Sequence, residues 1–118
     1  MTALNWIIEY YESPAGNKPV EDFINSLEEK AQDKIVRTFE LLGEFGIKFG
    51  LPHAKKLVGT PLWEIRIFGL DSIRIFYVAK EQKHFLLLHG FKKKTQKTNT
   101  KEVKLAIVRL REYESRKK

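Results

Sequence analysis

Cysteine is absent from the 118 residues, methionine occurs once and histidine three times. Without a thiol there is no disulfide framework and no thiolate nucleophile, a composition that suits a reducing cytoplasm. No run approaches the roughly 20 apolar residues that span a bilayer. The opening MTALNWIIEYY lacks the basic stretch and small-residue cleavage site of an export signal. A cytoplasmic chain with no membrane partner is therefore expected. The loop GEFGIKFGLP holds three glycines and a proline, but no Lys-Ser/Thr pair follows as a P-loop requires. Gly-x-Ser-x-Gly is missing as well. His84 and His89 stand five apart on one strand, where alternation turns them opposite ways, and no carboxylate cluster joins them, so no metal site is expected.

What is present is charge of one sign, unevenly spread. Net charge is +7. Residues 1–47 carry 4 Lys/Arg against 9 Asp/Glu, a balance of −5, and residues 48–118 carry 18 against 6, a balance of +12. Such asymmetry points to an anionic partner for the second half, and phosphate backbones are the commonest. The densest stretch is HGFKKKTQKTNTK, His89 to Lys101, with five lysines and no carboxylate in thirteen residues. The length suits one domain, 1–118, and an apolar content of 42% supplies a core.

Periodicity gives the framework. Leu4 to Tyr11 reads as a strand. Pro19 opens a helix with Glu21 and Asp22 near its positive end, and Val20, Phe23, Ile24 and Leu27 make one apolar face. The pattern weakens across KAQD and resumes at Ile35, Phe39 and Leu42, which predicts two helices in a hairpin ending near Gly43 or Gly46. Beyond the glycine loop and LPHAKK the period becomes 2: Trp63, Ile65 and Ile67 alternate with Glu64 and Arg66. Then come SIRIFYVA and HFLLLHGF, the last with the continuous apolarity of a central strand. Short turns between them predict an antiparallel meander. A helix from Asn99 to Tyr113 closes the chain, capped by Thr98 or Asn99 with Glu102 three residues on. The expected class is α+β: a small antiparallel sheet with an N-terminal helical hairpin and a C-terminal helix.

The lysine run thus leaves the end of a central strand. Arg66 points outward if Ile65 and Ile67 point in, and Arg74 lies on the next strand, where cross-strand neighbours sit about 5 Å apart. Arg66, Arg74 and the Lys92, Lys93, Lys94 run are expected to converge on one patch, with Lys55, Lys56, Lys97 and Lys101 as outlying phosphate contacts. An arginine fork grips phosphate oxygens at two points, and a lysine crowded by like charges yields its proton more readily, so one of the three can serve as base or acid. Bland readings stand beside these: a solvated or ion-paired Arg66, and a structural pair of Arg74 with Glu64.

The series LWEIRIFGLDSIRIFYV, LLLHGFKKKTQKT and NTKEVKLAI resembles the RelE/ParE toxin superfamily, and within it the HigB-like, phage-associated branch. The likeness covers nearly the whole chain, from the first strand through PVEDFINSL to the last helix, and its most specific element pairs EIR…RIFY with HGFKKKTQKT. It implies a RelE-like fold and a toxin of a type II toxin–antitoxin pair, held by a protein antitoxin that is often a helix-turn-helix DNA binder. It further implies cleavage of mRNA, commonly on the ribosome, without metal or cofactor. Arg66 and Arg74 fall where family nucleases carry basic residues, and Lys92 and Lys93 near a basic position after the last long strand. Glu64 departs from the pattern, standing where some ribosome-dependent members have lysine. It removes one candidate base or puts a carboxylate in its place. The ending REYESRKK also departs from other members. Rival readings are a ParE-like inhibitor of DNA gyrase and a basic binding module without catalysis. Tyr113 and Tyr77 are expected in the core, the latter with its hydroxyl within reach of a groove rim. His89 alternates with Phe85, Leu87 and Phe91 and is expected to be buried or hydrogen-bonded. His84 is expected at the surface, and His53 in a loop.

Overall fold

The computed structural model describes residues 7–45, 54–67, 72–80, 84–94 and 100–117. Their elements are β1 (Ile7–Tyr10), α1 (Pro19–Asn25), α2 (Glu29–Phe45), β2 (Ala54–Lys56), β3 (Trp63–Arg66), β4 (Ile73–Lys80), β5 (His84–Lys92) and α3 (Thr100–Arg116). The strands form one five-stranded sheet in the order β1-β5-β4-β3-β2.

The class is α+β as expected, but the sheet is mixed. β2 to β5 are antiparallel, while β1 runs parallel to β5, with Ile7 opposite His84 and Tyr10 opposite Leu87. A strand separated from its partner by two helices and three strands has no hairpin to dictate its direction. β5 is buried from Phe85 to Phe91, which follows from neighbours on both edges and cover on both faces. β2 is the other correction: AKK, read as loop, is a short edge strand.

The helical hairpin is corrected too. Both helices follow β1, so neither is N-terminal, and α1 packs mainly against β5 instead of along α2. The reason is visible at Gly90, where a Cβ would lie only 2.7 Å from the Phe23 ring. The glycine lets α1 sit directly on the strand. The break between the helices falls at residues 26–28, ahead of the KAQD stretch, which lies inside α2, and Gln32 Nε2 donates to the Leu27 carbonyl at 2.8 Å there. This satisfies a backbone acceptor left over at a helix end.

Two cores flank the sheet. One buries Val20, Ile24, Ile35, Phe39 and Leu42 of α1 and α2 against Ile65, Ile75, Tyr77 and Leu87. The other buries Ala106, Leu110 and Tyr113 of α3 against Phe76, Val78, Leu86 and Leu88. Tyr113 packs helix to sheet, as expected, and its hydroxyl donates to Glu9 Oε1 at 2.9 Å. Among the described residues no helix is long and apolar enough to cross a membrane.

Candidate functional site

Strand pairing decides which of the charged residues meet. Arg66 is directly opposite Arg74, Glu64 opposite Phe76, and Arg74 opposite Phe91. Since Phe76 and Phe91 belong to the α3 core, Glu64, Arg66 and Arg74 stand on that same face. Like charges set directly across a ladder disfavour the pairing, so the facing of the two arginines itself adds nothing to the stability of this register. Arg66 is exposed, but Arg74 is not the solvated side chain a site arginine suggests: it is 8% exposed and its Nη1 donates to the Ile73 carbonyl at 3.3 Å.

Among the lysines the structure separates the run. Lys92 stands opposite Ile73, on the α1 and α2 side, and is exposed. Lys93 extends the ladder by donating its backbone N–H to the Ser72 carbonyl at 2.5 Å, and it turns toward α3. There it shares a small pocket with Glu64, Lys55, Phe76, Phe91 and Val103. The volume is about 30 Å³, near the space of a single water. Lys94 is exposed just beyond β5. Lys55 is opposite Glu64 with its Nζ 3.9 Å from Oε1, and Lys56 is exposed on the same edge strand. Lys101 is exposed in the first turn of α3, the positive end of the helix, where a cation is mildly unfavourable. Lys97 lies outside the described residues, as do Thr98, Asn99 and His53.

Glu64 is the unexpected member. Its residue exposure is 7%, and a buried carboxylate is expensive unless cations surround it. One long contact to a largely exposed lysine does not explain its burial, whereas a carboxylate that shares a pocket with Lys55 and Lys93 has a chemical use. Alternation in WEIR puts Glu64 in phase with Arg66, and the edge strand β2, a loop by sequence, pairs alongside it with Lys55 opposite Glu64.

His89 is buried and hydrogen-bonded, as expected, but on the other face of the sheet from the one alternation predicts. Between Phe76 and Tyr77 the β4–β5 register slips, leaving Leu88 as an extra residue. A bulge of this kind rephases the strand, so His89 joins the α3 side instead of facing with Phe85 and Leu87. It also means that His84 and His89 share a face, contrary to simple alternation: His84 Nε2 is 2.5 Å from Glu9 Oε1, the same oxygen that Tyr113 of α3 contacts. His89 Nε2 is 2.5 Å from Glu102 Oε1, and Arg109 Nη1 is 3.0 Å from His89 Nδ1 and 2.9 Å from the Leu88 carbonyl. Because a guanidinium only donates, Nδ1 must accept, and the ring proton sits on Nε2 toward the carboxylate. Phe91 stacks on the ring at 5.4 Å. Tyr77, by contrast, lies wholly in the α1 and α2 core, where burial pushes its hydroxyl up to about 12. It does not reach the arginine face.

Burial lowers the His89 pKa below 6.5, helped by Arg109 and opposed by Glu102. The native protein therefore holds fewer protons at this group than the unfolded chain. Its contribution to stability is full above about pH 6.5 and is lost as pH falls through the lower native value. Melting temperature is expected to drop between pH 7.5 and pH 5, and His89→Gln is expected to flatten that slope. Equal slopes in the two proteins would show that another group sets the dependence.

Arg66, Arg74, Lys93 and Glu64 thus gather at one end of the sheet beside the start of α3, while Lys92 is turned away. A family model described as "Phage derived protein Gp49-like (DUF891)" matches residues 22–111, a span that contains all four side chains and the Glu102–His89–Arg109 cluster. No curated protein matches the chain.

Proposed function

Since the chain belongs to the Gp49-like family of phage-derived proteins, which is associated with toxin–antitoxin toxins of the RelE/HigB type, we propose that it is the toxin of a type II pair and cuts mRNA at the Arg66–Arg74–Lys93–Glu64 site. The observation that carries this reading is the buried carboxylate of Glu64 beside Lys93 in a pocket of one-water size, with two arginines paired across the ladder next to it.

RNA carries its own nucleophile. Glu64 accepts the proton of the 2′-hydroxyl, the 2′-oxygen attacks the adjacent phosphorus, and the bond from phosphorus to the 5′-oxygen breaks. Lys93 gives its proton to the departing 5′-oxygen. The products are a 2′,3′-cyclic phosphate and a 5′-hydroxyl, so atoms and charge balance without a metal or cofactor. Arg66 and Arg74 hold the non-bridging oxygens as negative charge grows on them, the kind of fixed electrostatic support that contributes most to such steps. Proton transfer by placed groups adds to it. Lys55, Lys56, Lys94, Lys97 and Lys101 supply phosphate contacts, and Lys92, on the opposite face, is not part of the reaction site. A helix-turn-helix antitoxin would neutralise the protein, and the ribosome is a natural place for it to meet mRNA.

Inducing the protein without an antitoxin is expected to arrest growth and truncate transcripts, and EDTA is expected to leave cleavage by the purified protein unchanged. Intact transcripts accompanied by gyrase-dependent DNA breaks would replace this reading with the ParE-like one.

A further inference from the structure

Beside the reaction pocket lies a larger groove of about 450 Å³ between the β2–β3 connection and the start of α3. Its walls include Lys55, Leu57 and Val103, which also line the small pocket around Glu64 and Lys93. The two spaces are thus neighbours that share these three side chains. Lys56, Val58 and Thr100 complete much of the rim, and no carboxylate lines the groove among the described residues.

The connection that forms one wall is built to hold its shape. Thr60 donates its backbone N–H to the Leu57 carbonyl at 3.1 Å, and Gly59 has φ +81°. Glycine at the third position of a four-residue turn with that φ is the signature of a type II turn, which ordinary side chains resist. The Thr60 hydroxyl donates to the Leu57 carbonyl at 2.9 Å and accepts from the Leu62 N–H at 3.0 Å. Leu57 N–H closes on the Leu62 carbonyl at 3.0 Å. This clamped turn carries Val58 at its tip with 97% of the residue exposed. Burial does not account for an apolar side chain placed there by so ordered a turn.

We propose that the groove receives the unstacked nucleobases of single-stranded RNA next to the phosphate held at the reaction pocket, with Val58, Leu57 and Val103 against the base faces and Lys56 on the backbone. The inference rests on the ribonuclease reading and assigns the path of its substrate. A chain leaving the pocket toward Lys55 enters this groove directly. Its apolar floor with cationic edges matches a single strand, whose bases offer flat apolar faces and whose phosphates need cations. The same contacts give the groove a part in selecting the bases that flank the cut.

The test compares wild type, Val58→Glu and Lys56→Ala in anisotropy titrations with a fluorescein-labelled single-stranded RNA, and maps cut positions on a longer transcript. Val58→Glu is expected to weaken binding roughly tenfold or more and to alter which positions are cut, with melting temperature unchanged because the side chain is exposed. Lys56→Ala is expected to reduce the log–log salt slope by about 0.7, the value for one phosphate contact on a single strand. A Val58→Glu protein that binds as tightly and cuts at the same positions as wild type overturns the groove assignment while the cleavage reading stands. A wild-type protein that cuts no RNA overturns both.

Discussion

Glu64→Gln is expected to lower single-turnover RNA cleavage by about 10²–10⁴-fold, the range for loss of a positioned proton carrier. Glutamine keeps the size of the side chain and its place opposite Phe76 and Lys55, but it cannot take the 2′-hydroxyl proton. The fold should tolerate the change. Among the described residues Glu64 makes an ion pair of 3.9 Å with a lysine side chain that is 61% exposed, and such pairs contribute little. Removing a buried charge can even raise stability. RNA binding should also survive, since the change deletes a negative charge close to the phosphate. The distinguishing pattern is lost turnover with retained or tighter binding. If Glu64→Gln cuts at the wild-type rate, the carboxylate is structural and the proton goes elsewhere.

The second large effect belongs to the arginines. Arg74→Ala is expected to reduce cleavage by about 10²–10³-fold through the loss of a charge contact made in the transition state. Its burial changes what must be measured alongside. At 8% exposure, with a hydrogen bond to the Ile73 carbonyl, Arg74 also contributes to folding, so a fall in melting temperature is expected in the same variant. Arg66 separates the two effects. It is exposed, so Arg66→Ala should leave melting unchanged and still lose cleavage. Arg74→Lys should retain charge yet remain impaired, because an ammonium lacks the planar two-point fork. If folded Arg74→Ala protein cuts as fast as wild type, Arg74 is a structural residue and leaves the site.

Much of this arrangement could be read from local pattern, and its errors have local or topological causes. WEIR alternates cleanly, so the outward phase of Arg66 followed from Ile65. Placing Arg74 opposite it followed from a hairpin. β5 is different, because FLLLHGF is buried on both faces and carries no alternation from which a slipped register could be noticed. The bulge at Leu88 is therefore silent in the sequence, yet it decides that His89 meets Glu102 and Arg109, seven residues apart on α3. A run of three lysines likewise reads in the sequence as one group, Lys92, Lys93 and Lys94. A strand end sends successive side chains to opposite faces, and only Lys93 lines the pocket with Glu64. The parallel pairing of β1 with β5 joins residues 77 apart, Ile7 with His84 and Tyr10 with Leu87, and no nearby turn encodes it. Glu64 was visible as a departure from the family pattern, but its burial is the work of β2 and α3.

The central claim is that the cleft makes the RNA's own 2′-hydroxyl the nucleophile, and one measurement addresses it directly. Purified protein is incubated with a single-stranded RNA that it cuts, and with the same RNA carrying a 2′-deoxy nucleotide immediately 5′ to the cut. Cleavage of the all-ribose strand to a 2′,3′-cyclic phosphate and a 5′-hydroxyl, with the substituted strand left whole at that position, is the predicted result. Equal cleavage of both strands would show that the 2′-hydroxyl takes no part and would contradict the mechanism.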